Sequence, residues 1–340
     1  MMKRGTLAIG IVSRNGHPFI EDCLQSLESS VPQLLNHFES IHCILVDSDS
    51  SDNTLEVMIG LGNKNKSIKT DVYLIEGDCN AGIARNVILR NSSSDFLFLC
   101  DGDIVIDCKF IILAVEKIIT NKADAIIGQL SEKWYDSDFK FYKSIPVREK
   151  ILHEKFVRMT GGIILLSGGV VRSQIEFDDK LKRNEDRDFS LRISERFKIL
   201  AIPVFVGIHL TQPYYSNERF GTFLKERYNV YLGVLVRKHI YSLSNLLAIV
   251  KSEKGVMVGF VYMLLMSISV VLCALEVYVP FYLICSVVLL DLIRYVMKNP
   301  LKRFLMNRFI SPIMVVEGFL FPAKNKPNYS IVKINKLVKR

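Results

Sequence analysis

The first limit on the fold comes from residues 255–275, GVMVGFVYMLLMSISVVLCAL, which carry no charge. About 20 apolar residues are enough for a helix to cross a bilayer. After Glu276 the chain stays largely apolar as far as Met297. This pattern predicts a transmembrane hairpin over 255–297 that turns near Glu276–Pro280. A single buried core helix is the alternative, but uncharged runs of this length are rare in soluble domains.

Basic residues flank both ends of this hairpin. They are Arg237, Lys238, Lys251 and Lys254 before it, and Lys298, Lys302, Arg303 and Arg308 after it. Because Lys and Arg concentrate on the cytoplasmic side of membranes, both ends are expected in the cytoplasm. The N-terminus lacks a signal-peptide pattern. We therefore expect a multi-pass protein of the cell membrane with a cytoplasmic N-terminal domain.

Cysteine and charge usage narrow the possible partners. Seven cysteines, an odd number without paired spacing, suit a reducing compartment and argue against a disulfide framework or a zinc site. The net charge of +9 is concentrated in 301–340, which contain nine basic residues and one acidic residue. Segment 298–340 is therefore expected to be a basic membrane-proximal tail that meets anionic lipid headgroups. Nucleic-acid binding is disfavoured, since nothing resembles a base-reading module.

Pro312 divides the amphipathic stretch 301–321. This break favours an in-plane helix over a third span. Before the hairpin, residues 213–254 are expected to form juxtamembrane amphipathic helices.

The first two hundred residues alternate strand-like and helix-like segments. The pattern predicts strands at 7–13, 43–47, 71–77 and 96–100, with helices at 18–38, 54–61 and 81–91 between them. It further predicts a strand at 122–128, a loop and helix within 129–160, two short strands within 160–171, a helix over 184–196 with Asn184 as its N-cap, and a strand at 199–210. This order indicates an α/β fold, with a mostly parallel sheet covered by helices on both faces.

Polar clusters follow three of the predicted strands: Ser13-Arg14-Asn15, Asp47-Ser48-Asp49-Ser50 and Asp101-Gly102-Asp103. Parallel α/β sheets bind ligands beyond the carboxyl ends of their strands. Two aspartates after a buried strand suit a hard cation, Mg²⁺ or Mn²⁺, which in turn neutralises a pyrophosphate. A plain surface turn is the alternative, but apolar residues flank the Asp-Gly-Asp triplet on both sides.

These motifs, in this order, resemble glycosyltransferase family 2, whose members are inverting, use nucleotide sugars and have a GT-A fold. The resemblance covers about residues 6–210 and rests on LAIGIVSRNG, VDSDSSDNT, NAGIARN, CDGD, the glycines at 161–162 and NED at 184–186. It implies that residues 1–212 form a GT-A catalytic domain. The opening turn departs from the family, with Ser-Arg-Asn where a Thr-Tyr-Asn-like sequence is commoner.

The resemblance also implies a role for each matching residue. Contacts to the nucleotide sugar are expected from Ser13, Asn15, Asp47, Asn80, Arg85 and Asp101. Metal ligands are expected to be Asp101, Asp103 and His209, and Asp186, next to Glu185, is expected to be the catalytic base. Four further aspartates, Asp52, Asp178, Asp179 and Asp188, are expected to be solvated or to cap helices.

These expectations together describe an inverting transfer of one sugar from a nucleotide-diphosphate sugar to an acceptor hydroxyl. The acceptor is expected to be a lipid-linked glycan at the cytoplasmic membrane face. Single transfer is favoured because the Gln-x-x-Arg-Trp motif of processive synthases is missing.

Two alternatives stay open on the sequence alone. One is a membrane-anchored sugar-nucleotide binding protein without catalysis, although the candidate base Asp186 is present. The other is a haloacid-dehalogenase-like phosphatase, because DGDIV fits that family's nucleophile loop. That loop normally ends the first strand of its domain, whereas about a hundred residues precede it here.

Overall fold

The computed structural model describes residues 3–64, 67–120, 122–147, 150–213, 217–297, 299–321 and 327–334. The chain divides into two compact units. Met1–Pro213 and Asn325–Arg340 form the first, which we call the sheet unit, and Tyr214–Lys324 form the second, the helical unit.

Eleven strands among the described residues of the sheet unit form one sheet. They are β1 (Thr6–Ser13), β2 (Ser40–Asp47), β3 (Lys69–Gly77), β4 (Phe96–Asp101), β5 (Ile104–Ile106), β6 (Ala125–Tyr135), β7 (Phe141–Ile145), β8 (Lys155–Val157), β9 (Ile164–Ser167), β10 (Ile199–Thr211) and β11 (Tyr329–Ile334). Their order is β11-β3-β2-β1-β4-β9-β6-β10-β5, with β7 beside β6 and β8 beside β10. The pairs within β3-β2-β1-β4 are parallel, whereas β9 and β11 join antiparallel. The sheet is therefore mixed, and the parallel arrangement predicted from sequence holds for β1 to β4 and for the pair of β6 and β10.

Helices cover both faces of this sheet. They are α1 (Phe19–His37), α2 (Thr54–Lys64), α3 (Ala81–Asn91), α4 (Cys108–Ile119), α5 (Gly168–Arg172) and α6 (Glu185–Ile193). On α1 the buried residues recur at helical spacing, among them Cys23, Leu27 and Leu34. One buried cluster contains residues of α1 and α4, and a second contains residues of α3 and α6. The predicted three-layer α/β architecture is confirmed.

Two local predictions were wrong. Residues 129–160 hold no helix among those the structure describes; they extend β6 to Tyr135 and then form β7 and β8. The mixed polar and apolar residues of QLSEKWY fit a half-buried strand, and this strand pairs in parallel with β10. Residues 160–171 form one strand, β9, followed by the short helix α5. The side chain of Ser167 accepts a hydrogen bond from the N–H of Val170 and so starts that helix.

The C-terminal segment differs from the single tail expected over 298–340. Residues Tyr329–Ile334 pair antiparallel with β3 from Gly77 back to Val72. Lys333 Nζ lies 2.8 Å from Asp71 Oδ1. The basic residues Lys298, Lys324, Lys326, Lys336, Lys339 and Arg340 lie outside the described residues. The chain therefore returns to the sheet unit after the helical unit.

The helical unit contains α7 (Asn217–Lys225), α8 (Val230–Lys238), α9 (Leu243–Ser252), α10 (Lys254–Ala274), α11 (Val279–Val296), α12 (Leu301–Leu305), a π-helical turn (Met306–Ile310) and α13 (Ser311–Leu320). By length and composition, α10 and α11 are each able to cross a membrane. They are joined by a turn in which Glu276 has a φ of 61°. Most residues of α10 and all residues of α11 lie outside the protein interior.

A buried polar group and a close helix crossing organise the helical unit. Arg308, in the π-helical turn, donates to Asp291 Oδ2 at 3.0 Å, and the hydroxyl of Tyr262 donates to the same oxygen at 2.7 Å. A Cβ on Gly259 would lie 2.6 Å from the carbonyl oxygen of Arg308, so only glycine permits this approach. Pro312 is one of the first residues of α13, which follows the π-helical turn directly, so the backbone stays helical from Leu301 to Leu320. The in-plane orientation expected for 301–321 stays a prediction.

Candidate active site

The strand register brings the three polar clusters to one edge of the sheet. Ser13, the last residue of β1, pairs with Asp47 at the end of β2. On the other side of β1, Val12 pairs with Asp101 at the end of β4. Because neighbouring strands lie about 4.8 Å apart, these strand ends form one crevice.

The turns after β1 and β2 are hydrogen-bonded to each other. Asn15, with a φ of 50°, donates its N–H to Ser50 Oγ at 2.8 Å. Its side-chain Oδ1 accepts the N–H of Ser51 at 2.8 Å. Asp47 is fully buried, and its Oδ2 accepts the N–H of Ser50 at 2.9 Å. Burial raises the pKa of Asp47 above its usual value. Oδ1 of Asp47 is buried without a hydrogen-bond partner among the described residues, so it can accept an N–H from a ligand.

Arg85 joins the two sides of the crevice. Its Nη2 donates to Asp101 Oδ1 at 2.6 Å, and its Nη1 donates to Glu185 Oε1 at 2.8 Å. The residue is 3 % exposed, and its guanidinium lies 5.6 Å from the ring centre of Phe177. Burial lowers the pKa of Arg85, but the charges of Asp101 and Glu185 outweigh this effect and hold the pKa above its usual value. Arg85 is therefore a permanently charged bridge between β4 and α6.

The two glycines before β9 have different surroundings. A Cβ on Gly162 would lie 2.5 Å from Cζ of Arg85, so the backbone there packs directly against the guanidinium. A Cβ on Gly161 would have one neighbour within 4 Å among the described residues, Asp186 Oδ2 at 3.9 Å. The Gly-Gly pair thus serves the site twice, since one glycine makes room for Arg85 and the other opens toward Asp186.

The two acids that begin α6 are placed differently. Glu185 is 7 % exposed and bonded to Arg85. Burial and the nearby charge of Asp186 raise the pKa of Glu185 to about 7, although Arg85 opposes the shift. Asp186 is half-buried, and its Oδ1 accepts the N–H of Arg187 at 2.7 Å. Glu185 is thus hydrogen-bonded to Arg85, whereas Oδ2 of Asp186 faces Gly161.

A second polar chain starts at Asp103. Asp103 Oδ2 lies 3.2 Å from His209 Nε2, and His209 Nδ1 lies 3.4 Å from Glu132 Oε1. The other oxygen of Glu132 accepts the indole N–H of Trp134 at 2.8 Å. Burial lowers the pKa of His209, but the hydrogen bonds to Asp103 and Glu132 outweigh it and raise the pKa to about 9.

A divalent cation at this edge of the sheet would have to be held by these side chains. No group of three His, Cys, Asp or Glu residues is arranged to hold a metal among the residues the structure describes. Asp103 Oδ1, however, is buried without a hydrogen-bond partner in that part of the chain. Mg²⁺ is commonly held by one or two carboxylates, with substrate phosphates and water completing its shell. Asp103 and His209 therefore fit as two protein ligands, while Asp101, bonded to Arg85, would act through water or after leaving Arg85.

Some predicted residues have structural partners instead. The side chain of Asn80 caps α3 by accepting the N–H of Ile83 at 2.9 Å and donates to the carbonyl of Asp179 at 2.6 Å. Asn184 precedes α6 with a φ of 64° and makes no side-chain cap, contrary to the prediction. Asp188 is not solvated as expected, because it is fully buried and accepts from Nε of Arg192 at 2.8 Å.

The sequence interpretation missed Glu132. A charged residue in a polar segment is usually solvated. The available signal was its place two residues before the lone tryptophan, because alternate residues of a strand share one face.

Comparison with known proteins bears on this site. Residues 8–170 match the family model described as glycosyl transferase family 2. This part of the chain belongs to glycosyl transferase family 2. The family and the GT-A-type α/β fold expected from the sequence are thereby confirmed, and the chain is a nucleotide-sugar-dependent glycosyltransferase. Glu185, Asp186 and His209 lie beyond the matched residues of the family 2 domain.

Solved structures resemble the chain at low identity. The mannosyltransferase PcManGT from Pyrobaculum calidifontis, in complex with GDP-Man and Mn²⁺, is 11 % identical with a TM-score of 0.63, over 94 % of this chain and 88 % of that one. TarS 1–349 from S. aureus is 16 % identical with a TM-score of 0.46, over 71 % of this chain and 73 % of that one. At 11 % identity, the likeness to PcManGT shows the fold alone. No curated protein matches the chain by sequence.

Proposed function

We propose that this family 2 glycosyltransferase inverts the anomeric centre as it moves one sugar from a nucleoside-diphosphate sugar to an acceptor hydroxyl. The observation that carries the proposal is the Arg85 bridge. One buried guanidinium ties Asp101, at the donor-side strand end, to Glu185, next to the candidate base Asp186. Donor and acceptor groups are thus held in one rigid arrangement, as a direct displacement requires.

The donor end uses the turns after β1, β2 and β4. Asp47 offers its unpartnered buried oxygen to the N–H of a nucleobase, with Asn15 and Ser13 in the turn beside it. Asp103 and His209 would hold the divalent cation, with Asp101 nearby. A cation bound there would stabilise the negative charge that develops on the departing nucleoside diphosphate.

The acceptor end uses the start of α6. Asp186 takes the proton of the acceptor hydroxyl as that oxygen attacks the anomeric carbon from the face opposite the leaving group. Glu185 stays bonded to Arg85 and holds the helix start in place. Because a single displacement is assisted by a single base, the product has the inverted configuration.

In this proposal, α10 and α11 form a membrane hairpin, and the reaction takes place at a lipid surface. The apolar side chains of α10 and α11 are largely outside the protein interior, which suits lipid better than water. The chain leaves the sheet unit after Pro213 and re-enters it before β11. A chain that crosses the membrane twice returns to the side where it started. Both segments of the sheet unit, before and after the hairpin, can therefore be cytoplasmic. The acceptor of this proposal is a lipid-linked glycan at the cytoplasmic face.

A donor screen tests the proposed reaction. The purified full-length protein in detergent is incubated with Mn²⁺ and individual UDP- and GDP-sugars, and release of the nucleoside diphosphate is measured. GDP-mannose belongs in the set because PcManGT, which shares the fold, was solved with it. We expect release from one donor, its loss in Asp103→Asn, and no change in Asp22→Asn, which removes an exposed carboxylate from the first turn of α1. Release that Asp103→Asn leaves unchanged would contradict the proposed site.

A further inference from the structure

We propose that Glu132 and Trp134 are positioning residues that hold His209 with its Nε2 directed at the cation end of the site. The inference rests on the proposed function, because it concerns the cation that Asp103 and His209 would share. It adds two residues that neither the sequence interpretation nor the family match assigns to the site.

The backbone already sets these residues opposite one another. β6 and β10 are parallel, and Glu132 pairs directly with His209 in their register. Glu132 is 3 % exposed although it carries a carboxylate. Burying a charge without partners is costly, so a buried carboxylate has to be hydrogen-bonded. Here Oε2 accepts from Trp134 at 2.8 Å and Oε1 faces His209 Nδ1 at 3.4 Å.

This arrangement selects one form of the imidazole. A carboxylate accepts hydrogen bonds but cannot donate them, so Nδ1 has to carry a hydrogen toward Glu132. Nε2 lies 3.2 Å from Asp103 Oδ2, and a cation bound there would take the place of the hydrogen on Nε2. Asp103 Oδ1, which is buried without a hydrogen-bond partner among the described residues, would be available to the same cation. Imidazole ligands are typically oriented by such a carboxylate on their other nitrogen, and its loss costs about 10–100-fold in metal affinity.

Trp134 binds the oxygen of Glu132 that does not face His209. Its indole N–H holds Oε2, which prevents the carboxylate from rotating away from His209. The chain contains one tryptophan. Its fluorescence therefore reports on this position without any label, and a paramagnetic cation bound near His209 should quench it.

The test measures binding of Mn²⁺ alone to the full-length protein by electron paramagnetic resonance of the free ion. Glu132→Gln keeps the side-chain size and one acceptor, and we expect it to weaken Mn²⁺ binding by about 10–100-fold. Trp134→Phe removes the indole N–H, the one polar group of that side chain. It should also weaken Mn²⁺ binding, but by less than Glu132→Gln does. Glu154→Gln is the control, because it also removes one carboxylate charge, at an exposed ion pair with Lys117, and should leave binding unchanged.

A double variant separates positioning from general stability. If Glu132 acts through His209, adding Glu132→Gln to His209→Ala should weaken Mn²⁺ binding no further. If Glu132 only supports the fold, the two losses should add. Circular dichroism of each variant shows whether the sheet unit is intact.

The outcomes distinguish this inference from the proposed function. Wild-type binding that is lost in Asp103→Asn but unchanged in Glu132→Gln would overturn the role of Glu132 and leave the cation site standing. Additive losses in the double variant would also overturn it. Absence of Mn²⁺ binding and of tryptophan quenching in the wild type would overturn both the cation site and this inference.

Discussion

Replacing Gly162 by alanine should disable the Arg85 bridge, whereas the same change at Gly161 should not. The added methyl carbon of Gly162→Ala would lie 2.5 Å from Cζ of Arg85 and still closer to its Nη2. At Gly161 the nearest atom is 3.9 Å away, an ordinary contact. The two adjacent glycines are therefore matched controls: the added methyl group collides with Arg85 at position 162 and has room at position 161.

The expected magnitude follows from the geometry. Cζ has to retreat by about 0.9 Å to reach an ordinary contact of 3.4 Å. If the guanidinium moved directly away from Asp101, the 2.6 Å bond would lengthen to about 3.5 Å, which is no longer an effective hydrogen bond. One hydrogen bond between charged groups contributes about 1.5–3 kcal/mol. A domain of this size loses about 2–4 °C of Tm per kcal/mol, so Tm should fall by about 3–12 °C.

The assay is thermal unfolding of the full-length variants, followed by circular dichroism, together with nucleoside diphosphate release. Gly162→Ala should lower both Tm and turnover, because a displacement of about 1 Å at a catalytic group can cost 10²-fold in rate. Gly161→Ala should unfold at the wild-type temperature. Equal Tm values for the two variants would refute the reasoning, since they would mean that the guanidinium is not held as described.

Three further predictions concern pH, metal and topology. The pKa of Glu185 is raised to about 7 in the folded state and is lower in the unfolded state, so its ionisation should reduce stability as the pH rises from about 4.5 to 7. Over this range, Tm should fall more for wild type than for Glu185→Gln. Parallel Tm profiles of the two proteins would contradict the raised pKa. EDTA should abolish turnover and Mn²⁺ or Mg²⁺ restore it, and full turnover in chelator would remove the cation from the mechanism. Cysteines introduced near 240 and 330 should be labelled from the cytoplasm and those at Val277–Val279 from outside; opposite sides for 240 and 330 would exclude the hairpin.

The sequence was sufficient for features that depend on local pattern. Apolar runs identified β1 to β4, and the polar residues after them identified the strand-end crevice. The Asp-Gly-Asp and Asn-Glu-Asp motifs marked the two sides of the site. These features are readable because strand ends and helix starts impose their own residue preferences.

Features that depend on distant pairing could not be read in this way. The burial of Arg85 between Asp101 and Glu185 depends on partners 16 and 100 residues away, whereas its expected place beside the nucleotide stays a prediction. Asp188 looked like a solvated acid because its partner and its burial arise only in the folded unit. The strand β11 was hidden in a basic stretch, since an exposed edge strand carries little hydrophobic signal.

The identity of the base tests the central claim most directly. Asp186→Asn preserves side-chain size and most hydrogen bonding but cannot accept the acceptor's proton. General-base assistance contributes about 10²–10⁴-fold, so turnover to the acceptor should fall by at least that factor. Donor binding, measured by calorimetry with the nucleoside diphosphate and Mn²⁺, should be unchanged, because Asp47 and Asp103, the groups proposed to bind the nucleotide and the cation, are kept. Near-normal turnover of Asp186→Asn would contradict the account even with the fold and the donor site correct.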